Sequence, residues 1–558
     1  CGQFLIPLQQ GVDLCISGVR MTHATCVTLE GVSYQLPDGS PLFSDLNLHL
    51  DQRHTGLVGR NGVGKSVLAR LIAGDIAPTT GRCLRTAKVY YLAQHITHAP
   101  GQTVADLAGV QPIINALERI EQGSTAPADF DAVGEQWNIR QQLLDQLAHN
   151  NLGHLTPLTP TSQLSGGEAM RVALMGAFMS DAELLILDEP TNHLDREQRL
   201  ALQAQLSHWP KALLVISHDR ELLETMTRIL ELSALGLASY GGGYSFYAQA
   251  KAQKQSAAEQ QLAHAKLERN RQEQRLREQA EQLERRQARG SKSASSRNQA
   301  KILLGRQKER SQNSSGKWQQ HQQAAREALS VRVRQAASQV ERQQAVFVYA
   351  PTTSQHSAAH IAELVDARLP YGFEPLRTLS LTLSRGQRVA LLGPNGCGKS
   401  TVLKVLAGQV PIPAGQAGVH VKTAYLDQHL AMLNLECSVL EQLQALNRQL
   451  TESELRTRLA QLGLGAEQVN RPCAQLSGGE RLKAAMACVF YAEQPAQLLL
   501  LDEPDNHLDL VSLLALENML NEFIGTLVVT SHDKRFLDAI GITHRLIASA
   551  NGWLSTAF

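Results

Sequence analysis

At 558 residues the chain is too long for one hydrophobic core, since single cores stop growing at about 250–300 residues. Its longest aliphatic runs, such as Leu184–Leu187 and Leu498–Leu501, are far short of the ~20 apolar residues needed to span a bilayer, so the chain does not cross a membrane by itself. The net charge of +1 hides an uneven distribution, and eight scattered cysteines (Cys1, Cys15, Cys26, Cys83, Cys397, Cys437, Cys473, Cys488) without a CxxC pair read as free thiols in a reducing cytosol.

In chain order, residues 1–24 form an extension. It opens on Cys1 rather than Met, with Met21 just ahead of the first strand-like segment, so residues 1–20 are set aside from the fold. Residues 25–250 form a first domain. In it Thr55–Val58 reads as a strand, followed by Gly59-Arg60-Asn61-Gly62-Val63-Gly64-Lys65-Ser66-Val67 and an apolar helical start to Ala73. GxxxxGK[ST] between a strand and a helix is a phosphate-binding loop: its glycines turn backbone N–H groups toward phosphates at the positive end of a helix. Lys65 neutralises β/γ-phosphate charge and Ser66 ligates Mg²⁺ in such a loop.

Further along come Leu164-Ser165-Gly166-Gly167-Glu168, then Asp188 ending an aliphatic run, with Glu189 beside it. An Asp at the carboxyl end of a buried parallel strand holds Mg²⁺, and the adjacent Glu polarises an attacking water. Ser217-His218-Asp219 follows another apolar strand, which puts His218 within reach of a γ-phosphate.

The whole series then repeats in the same order, which marks a duplicated domain over residues 346–558. Arg388–Leu392 leads into Gly393-Pro394-Asn395-Gly396-Cys397-Gly398-Lys399-Ser400-Thr401; later come Leu476-Ser477-Gly478-Gly479-Glu480, then Asp502-Glu503, then Ser531-His532-Asp533. Cys397 reads as a small filler, with oxidation sensitivity of the second loop as the rival reading.

Between the copies, residues 251–345 form a linker. Residues 251–289 contain neither Gly nor Pro and favour a long helix; Gly290–Ser296 is expected to break it, and a returning helix runs to about Gln344, weakened by Gly305 and Gly316. Residues 251–350 hold 21 Lys+Arg against nine Glu and no Asp, a net +12, so the remainder of the chain carries −11. A basic hairpin on two acidic domains points to nucleic-acid contact.

With these motifs in place, the chain resembles the ATP-binding-cassette superfamily from about residue 25 to 550, the duplicated LSGGE being specific to it. The resemblance implies an α/β fold: two P-loop ATP-binding-cassette domains joined by a long α-helical hairpin linker, facing each other head to tail. Site one would combine Lys65, Gln94, Glu189 and His218 with Ser477 and Gly479. Site two would combine Lys399, Gln428, Glu503 and His532 with Ser165 and Gly167. Glu189, Glu503, His218 and His532 are the expected catalytic set; Gln94 and Gln428 join Ser66, Asp188, Ser400 and Asp502 around Mg²⁺. Tyr371 fits the family's adenine platform, and in the first half Tyr34 and Leu36 both stand near that position.

Two cassettes with no membrane domain, the Asp188–Asp195 run and Tyr240–Tyr247 leading into a basic helix resemble the ABC-F branch. That resemblance implies a cytoplasmic, monomeric ATPase acting on the ribosome, with ribosomal RNA and tRNA as partners. Lys292, Arg297, Lys301, Arg306 and Lys308 near the linker tip would be RNA contacts. Rival readings are a ribosomal protection factor against antibiotics, the motor of a transporter with separate membrane subunits, and a DNA or chromatin module. Asp505 departs from the usual threonine of the second DEPTNHLD. From Gln94 to Leu164 the spacing is 70 residues, against 48 from Gln428 to Leu476, and the extra stretch (about 105–140) resembles a short form of the branch's arm.

Overall fold

The computed structural model describes residues 25–96, 99–192, 194–295, 323–337, 360–506 and 508–557; along residues 280–295 it describes chiefly the backbone. Each copy of the repeat builds the same pair of sheets. In the first, a six-stranded sheet runs Val89–Leu92, Leu184–Asp188, Ala212–Ile216, His54–Val58, Arg228–Ser233, Gly236–Gly241. All neighbours are parallel except the last pair. In the second, the order is Thr423–Leu426, Leu498–Asp502, Thr526–Thr530, Arg388–Leu392, His544–Ser549, Gly552–Ala557, again with one antiparallel edge pair. A three-stranded antiparallel sheet flanks each: Pro41–Leu50, Val27–Gln35 and Thr80–Arg85, then Thr378–Ser384, His360–Arg368 and Ala414–Val419.

The central strands are continuous aliphatic runs because both faces are covered. Leu184–Asp188 and Leu498–Asp502 are buried along their whole length. The phosphate-loop strands lie inside the sheets, one strand away from the Asp-bearing strands and parallel to them, so the carboxyl ends of both open on the same edge. Leu510, the first residue of helix Leu510–Glu522, packs into an apolar cluster of the first copy with Leu187, Leu194 and Tyr247, so part of the cassette seam is hydrophobic.

Over the extra stretch of the first copy lie helices Gln111–Glu121, Pro127–Val133 and Ile139–His149. The first two are tied by Arg119, which donates to Asp129 at 2.7 Å. Their apolar faces pack on the helix that carries the first signature, so the stretch is a grown part of the cassette's helical region.

The linker helix begins earlier and ends later than composition alone suggests: it runs Tyr244–Ser295, 52 residues, or about 78 Å. The break expected at Gly290 does not occur before Ser295. One glycine costs about 1 kcal/mol in a helix, and each further residue of an established helix adds its own hydrogen bond. The helix starts at Tyr244 because its first turns are anchored: Tyr247 Oη donates to Glu231 at 3.0 Å, Tyr240 Oη donates to the same carboxylate at 3.2 Å, and Lys251 pairs with it. Residues 323–337 are helical, as expected of a returning segment. Arg297, Lys301, Arg306 and Lys308 lie outside the described residues, and Lys292 is described only as part of the helix backbone.

Candidate nucleotide-binding site

Both phosphate loops adopt the conformation their glycines permit. Gly64 and Gly398, the caps of helices Lys65–Ala73 and Lys399–Leu406, have φ of 102° and 105°. A Cβ on Gly59 would stand 2.3 Å from the Leu232 carbonyl oxygen, so only glycine fits there, whereas one on Gly62 or Gly396 would meet nothing within 4 Å. The buried Lys65 ammonium donates to the carbonyls of Gly59 (2.8 Å) and Arg60 (3.2 Å) and to Asn61 Oδ1 (3.4 Å). Lys399 does the same with Gly393 (2.9 Å) and Pro394 (3.0 Å). Cys397 is buried under the second loop with its thiol pushed up by burial, which favours the filler reading.

Asp188 and Asp502 end their strands at matching places. Each accepts from a tyrosine on the neighbouring strand, Tyr91 Oη and Tyr425 Oη, both at 3.1 Å. Motif reading missed these phenols; the signal was present in the paired Tyr-Leu endings of Val89–Leu92 and Thr423–Leu426. Thr530 Oγ1 also donates to Asp502 at 2.8 Å, and the Ser66 hydroxyl bonds Asp188. Burial raises the Asp188 carboxyl above its ordinary range, against the pull of Ser66 and Tyr91.

Glu189 and Glu503 are held in the left-handed backbone region, with φ of 50° and 48°. For a non-glycine residue that costs about 1–3 kcal/mol. Their N–H groups donate to Ile216 O at 2.8 Å and Thr530 O at 3.1 Å, which turns each side chain off the strand end toward the phosphate loop.

The two glutamates differ in surroundings. Glu189 is buried, and desolvation raises its carboxyl to about 8 despite the Lys65 charge. His218 lies 3.5 Å away, also buried, and desolvation holds its imidazole down at about 3. Glu189 Oε1 and both His218 ring nitrogens are buried without a hydrogen-bond partner. Glu503 instead accepts from Gln428 Nε2 at 2.7 Å and Asn506 Nδ2 at 2.6 Å, with His532 at 3.6 Å. Burial pushes the Glu503 carboxyl up, but the His532 hydrogen bond and charge, the Lys399 charge and Asn506 outweigh it and lower the carboxyl below the ordinary range.

The signature serines are helix caps. Ser165 Oγ accepts from the Glu168 N–H at 3.3 Å and donates to the Glu168 carboxylate at 2.7 Å; Ser477 and Glu480 repeat this at 3.3 and 2.9 Å. Glu168 and Glu480, grouped by motif with the nucleotide ligands, thus spend their carboxylates on a capping box. That box leaves first-turn N–H groups of Gly166–Met179 and Gly478–Tyr491 aimed outward.

A cleft of about 930 Å³ gathers residues of both copies. From the first it takes Asn61, Gly62, Gly64, Lys65, Ser66, Val67, Gln94, Asp188, Glu189 and His218; from the second it takes Gly478, Arg481, Gln428 and Glu503. The seam beside it is closed by the Asn61 N–H donating to Asp509 Oδ2 at 2.8 Å. Leu36 lines the cleft, while Tyr34 turns away and packs on Phe43 with ring centroids 6.2 Å apart. Tyr371 is 71% exposed and lies off this cleft, as do the second phosphate loop and Ser165–Glu168.

Two P-loop cassettes, each with an Asp-Glu strand end, a histidine beyond the next strand and a capped signature helix, define a tandem ATP-binding-cassette protein with no membrane-crossing helix among the described residues. A family model described as "ABC transporter" matches residues 43–192 and 376–506. The ATP-binding protein Uup of Haemophilus influenzae is 30% identical over 534 residues, spanning 89% of this chain and 75% of that protein. The ribosome protection protein VmlR of Bacillus subtilis is 29% identical over 533 residues, spanning 94% and 87%. The solved structure of an archaeal ribosome recycling factor, aABCE1, in complex with the stalk protein aP1 shares the fold at a TM-score of 0.55 and 18% identity, over 95% of this chain and 90% of that one. The chain belongs to the ABC-F family.

Proposed function

We propose that the protein hydrolyses ATP between its two cassettes and uses the cycle to engage and leave the ribosome. The observation that carries this reading is the shared cleft, in which Lys65, Glu189 and His218 of one cassette face Gly478 of the other. A nucleotide held by the first phosphate loop would meet the N-terminus of the second signature helix through its γ-phosphate. ATP then favours the closed pair by the contacts it makes only there. By the repeat, site two would set Lys399, Gln428, Glu503 and His532 against Ser165 and Gly167; of these, Gln428 and Glu503 line the shared cleft.

The residues present fit Mg²⁺. The Ser66 hydroxyl and the Asp188 carboxylate bond each other beside the phosphate loop, and Tyr91 donates to the same carboxylate at 3.1 Å, an oxygen donor set of the kind Mg²⁺ takes. Ser66, Asp188 and Gln94 would hold it at site one, and Ser400, Asp502 and Gln428 at site two; when bound it offsets phosphate charge. Glu189 and Glu503 are the groups placed to accept the proton of the attacking water; Glu503 is held ionised, whereas Glu189, raised to about 8, accepts it in its deprotonated form. The unpartnered Glu189 Oε1 and His218 ring nitrogens suit the first site to a water and a γ-phosphate oxygen.

The ribosome reading rests on the +12 linker, on the 52-residue helix that carries its first half, and on the likeness to a ribosome protection protein. Ribosomal RNA is the partner through the linker, with Lys292, Arg297, Lys301, Arg306 and Lys308 as phosphate contacts; the cassettes pair within one chain, and the setting is the cytoplasm. The likeness to VmlR also favours a second reading, in which the linker tip protects the ribosome from a drug. Footprints of the linker with and without antibiotic separate the two.

The test is the double variant Glu189→Gln, Glu503→Gln in a lysate supplied with ATP. Co-sedimentation with ribosomes, lost when ATP is omitted, is the expected result. A variant that binds ATP and stays at the top of the gradient overturns the ribosome reading.

A further inference from the structure

Outside the nucleotide site, two cysteines of the second cassette stand opposite each other at the root of its signature loop. Ser438 and Pro472 form an isolated antiparallel bridge, and the Cys473 N–H donates to Cys437 O at 3.0 Å. Antiparallel register then sets Cys437 directly opposite Cys473. Only one bond of such a pair forms, the Cys437 N–H going to Asn434 O at 3.3 Å; opposed residues in antiparallel register have Cα atoms about 4.5–5.5 Å apart, within the about 4.4–6.8 Å at which disulfides form.

Each sulfur sits at a sensitive place. Cys437 immediately precedes Ser438, the cap of helix Val439–Leu446, and lies nine residues beyond Gln428. Cys473 opens the short turn Cys473–Gln475 that delivers Ser477 to its capping position. Gln442 Nε2 spans the pair, donating to Cys473 Sγ at 3.1 Å and to Cys437 O at 3.3 Å.

The first cassette supplies an internal comparison. Its equivalent bridge is Thr103 with Pro160, and the Thr161 N–H donates to Gln102 O at 2.9 Å. Gln102 and Thr161 therefore hold the places of Cys437 and Cys473. The backbone is duplicated and the thiols are not.

We propose that Cys437 and Cys473 are a modification site: a dithiol that closes to a disulfide and pins the second signature loop to the segment following Gln428. The partly exposed Cys437 meets the oxidant. With a peroxide, its thiolate takes one oxygen to give a sulfenic acid and releases water from hydrogen peroxide. The buried Cys473 sulfur then attacks that sulfur, a second water leaves, and the S–S bond forms. The two sulfurs lose two electrons and the peroxide gains them. Burial raises the Cys473 thiol, which keeps it from meeting the oxidant first; its part in the second step rests on its place opposite Cys437. Because Gly478 of this signature lines the shared cleft, the bond slows turnover at the site containing Lys65 and leaves the Ser165 signature free; this part rests on the function proposed above.

The full chain is treated with hydrogen peroxide, digested without reduction and analysed by mass spectrometry, with ATP turnover followed in parallel. The expected result is a Cys437–Cys473 cross-linked peptide, a several-fold fall in turnover and recovery of both with dithiothreitol. Cys437→Ser keeps the reduced rate and removes both responses. Cys437 found as a sulfinic acid, or paired with another cysteine, overturns the site. A cross-link with unchanged turnover overturns its control of site one. A reduced chain without ATPase activity counts against the proposed function, and the cross-link still reports on the dithiol.

Discussion

The Arg220 guanidinium lies 2.8 Å from Glu517 across the cassette seam, and both side chains are less than a tenth exposed. Arg220 follows His218 and Asp219 in the first cassette, while Glu517 belongs to Leu510–Glu522, the helix capped by Asp509 in the second. Around this pair, Arg535 of the second cassette donates to Glu224 of the first at 3.0 Å. The Tyr244 ring, at the start of the linker helix, lies 5.9 Å from Arg220 and 5.7 Å from Arg535. The segments behind both histidines thus meet at the base of the linker.

Removing one member of a buried ion pair leaves the other charge unpaired, at a cost of about 3–5 kcal/mol. Glu517→Ala is therefore expected to lower the thermal midpoint and to separate the unfolding of the two cassettes into distinct transitions in calorimetry. Exchange of both partners for Met and Leu is expected to restore much of the stability. If Glu517→Ala unfolds in one transition at the parental temperature, the pair does not hold the seam.

Asp505 stands where the first copy has Thr191. Its Oδ1 is buried without a hydrogen-bond partner, and desolvation together with the Asp533 carboxylate raises it to about 7; Arg199 and Ser531 pull the other way. A carboxyl raised in the folded state binds its proton more tightly there than when unfolded. Its cost is absent only well below pH 3.8, grows as pH rises from there, and is complete above about pH 7. Asp505→Asn should accordingly raise the melting temperature more at pH 8 than at pH 5. Equal shifts at both pH values would show that Asp505 is ionised throughout.

The phenols of Tyr91 and Tyr425 aim Asp188 and Asp502. A hydrogen bond to a charged group contributes about 1.5–3 kcal/mol. Each Tyr→Phe change should weaken Mg²⁺-dependent nucleotide binding at its own site by about ten- to a hundredfold on that scale, with binding measured in excess EDTA nearly unchanged. Equal losses with and without Mg²⁺ would mean that the phenols support the strand ends rather than the metal ligands.

Much of the site was legible because it is local. Glycines 59, 62 and 64 fix a loop between consecutive elements, and Leu184–Asp188 carries its burial in its own composition. The repeated order of motifs then set two cassettes in one chain without any long-range contact being known. Other features had no local signal. Tyr34 and Leu36 are two residues apart, and only the pairing of Tyr34 with Phe43 across the sheet turned the tyrosine into the core and left Leu36 on the cleft. Gly290 looked like a helix end because composition does not register the length of the helix feeding into it.

What the sequence determined by itself is the chemistry available: two phosphate loops, two Asp-Glu pairs, two histidines, two signatures and one basic linker, each written within a few adjacent residues. What the tertiary structure decided is which of these groups share surroundings. Glu189 beside an unpartnered His218 ring and Glu503 beside His532 and Asn506 come from the same motif, yet burial raises one carboxyl, while for the other the His532 hydrogen bond and charge, with Lys399 and Asn506, outweigh burial. Desolvation and pairing depend on residues hundreds of positions away, as Asn61 with Asp509 and Arg220 with Glu517 demonstrate, and only the folded arrangement of the two cassettes brings those residues together.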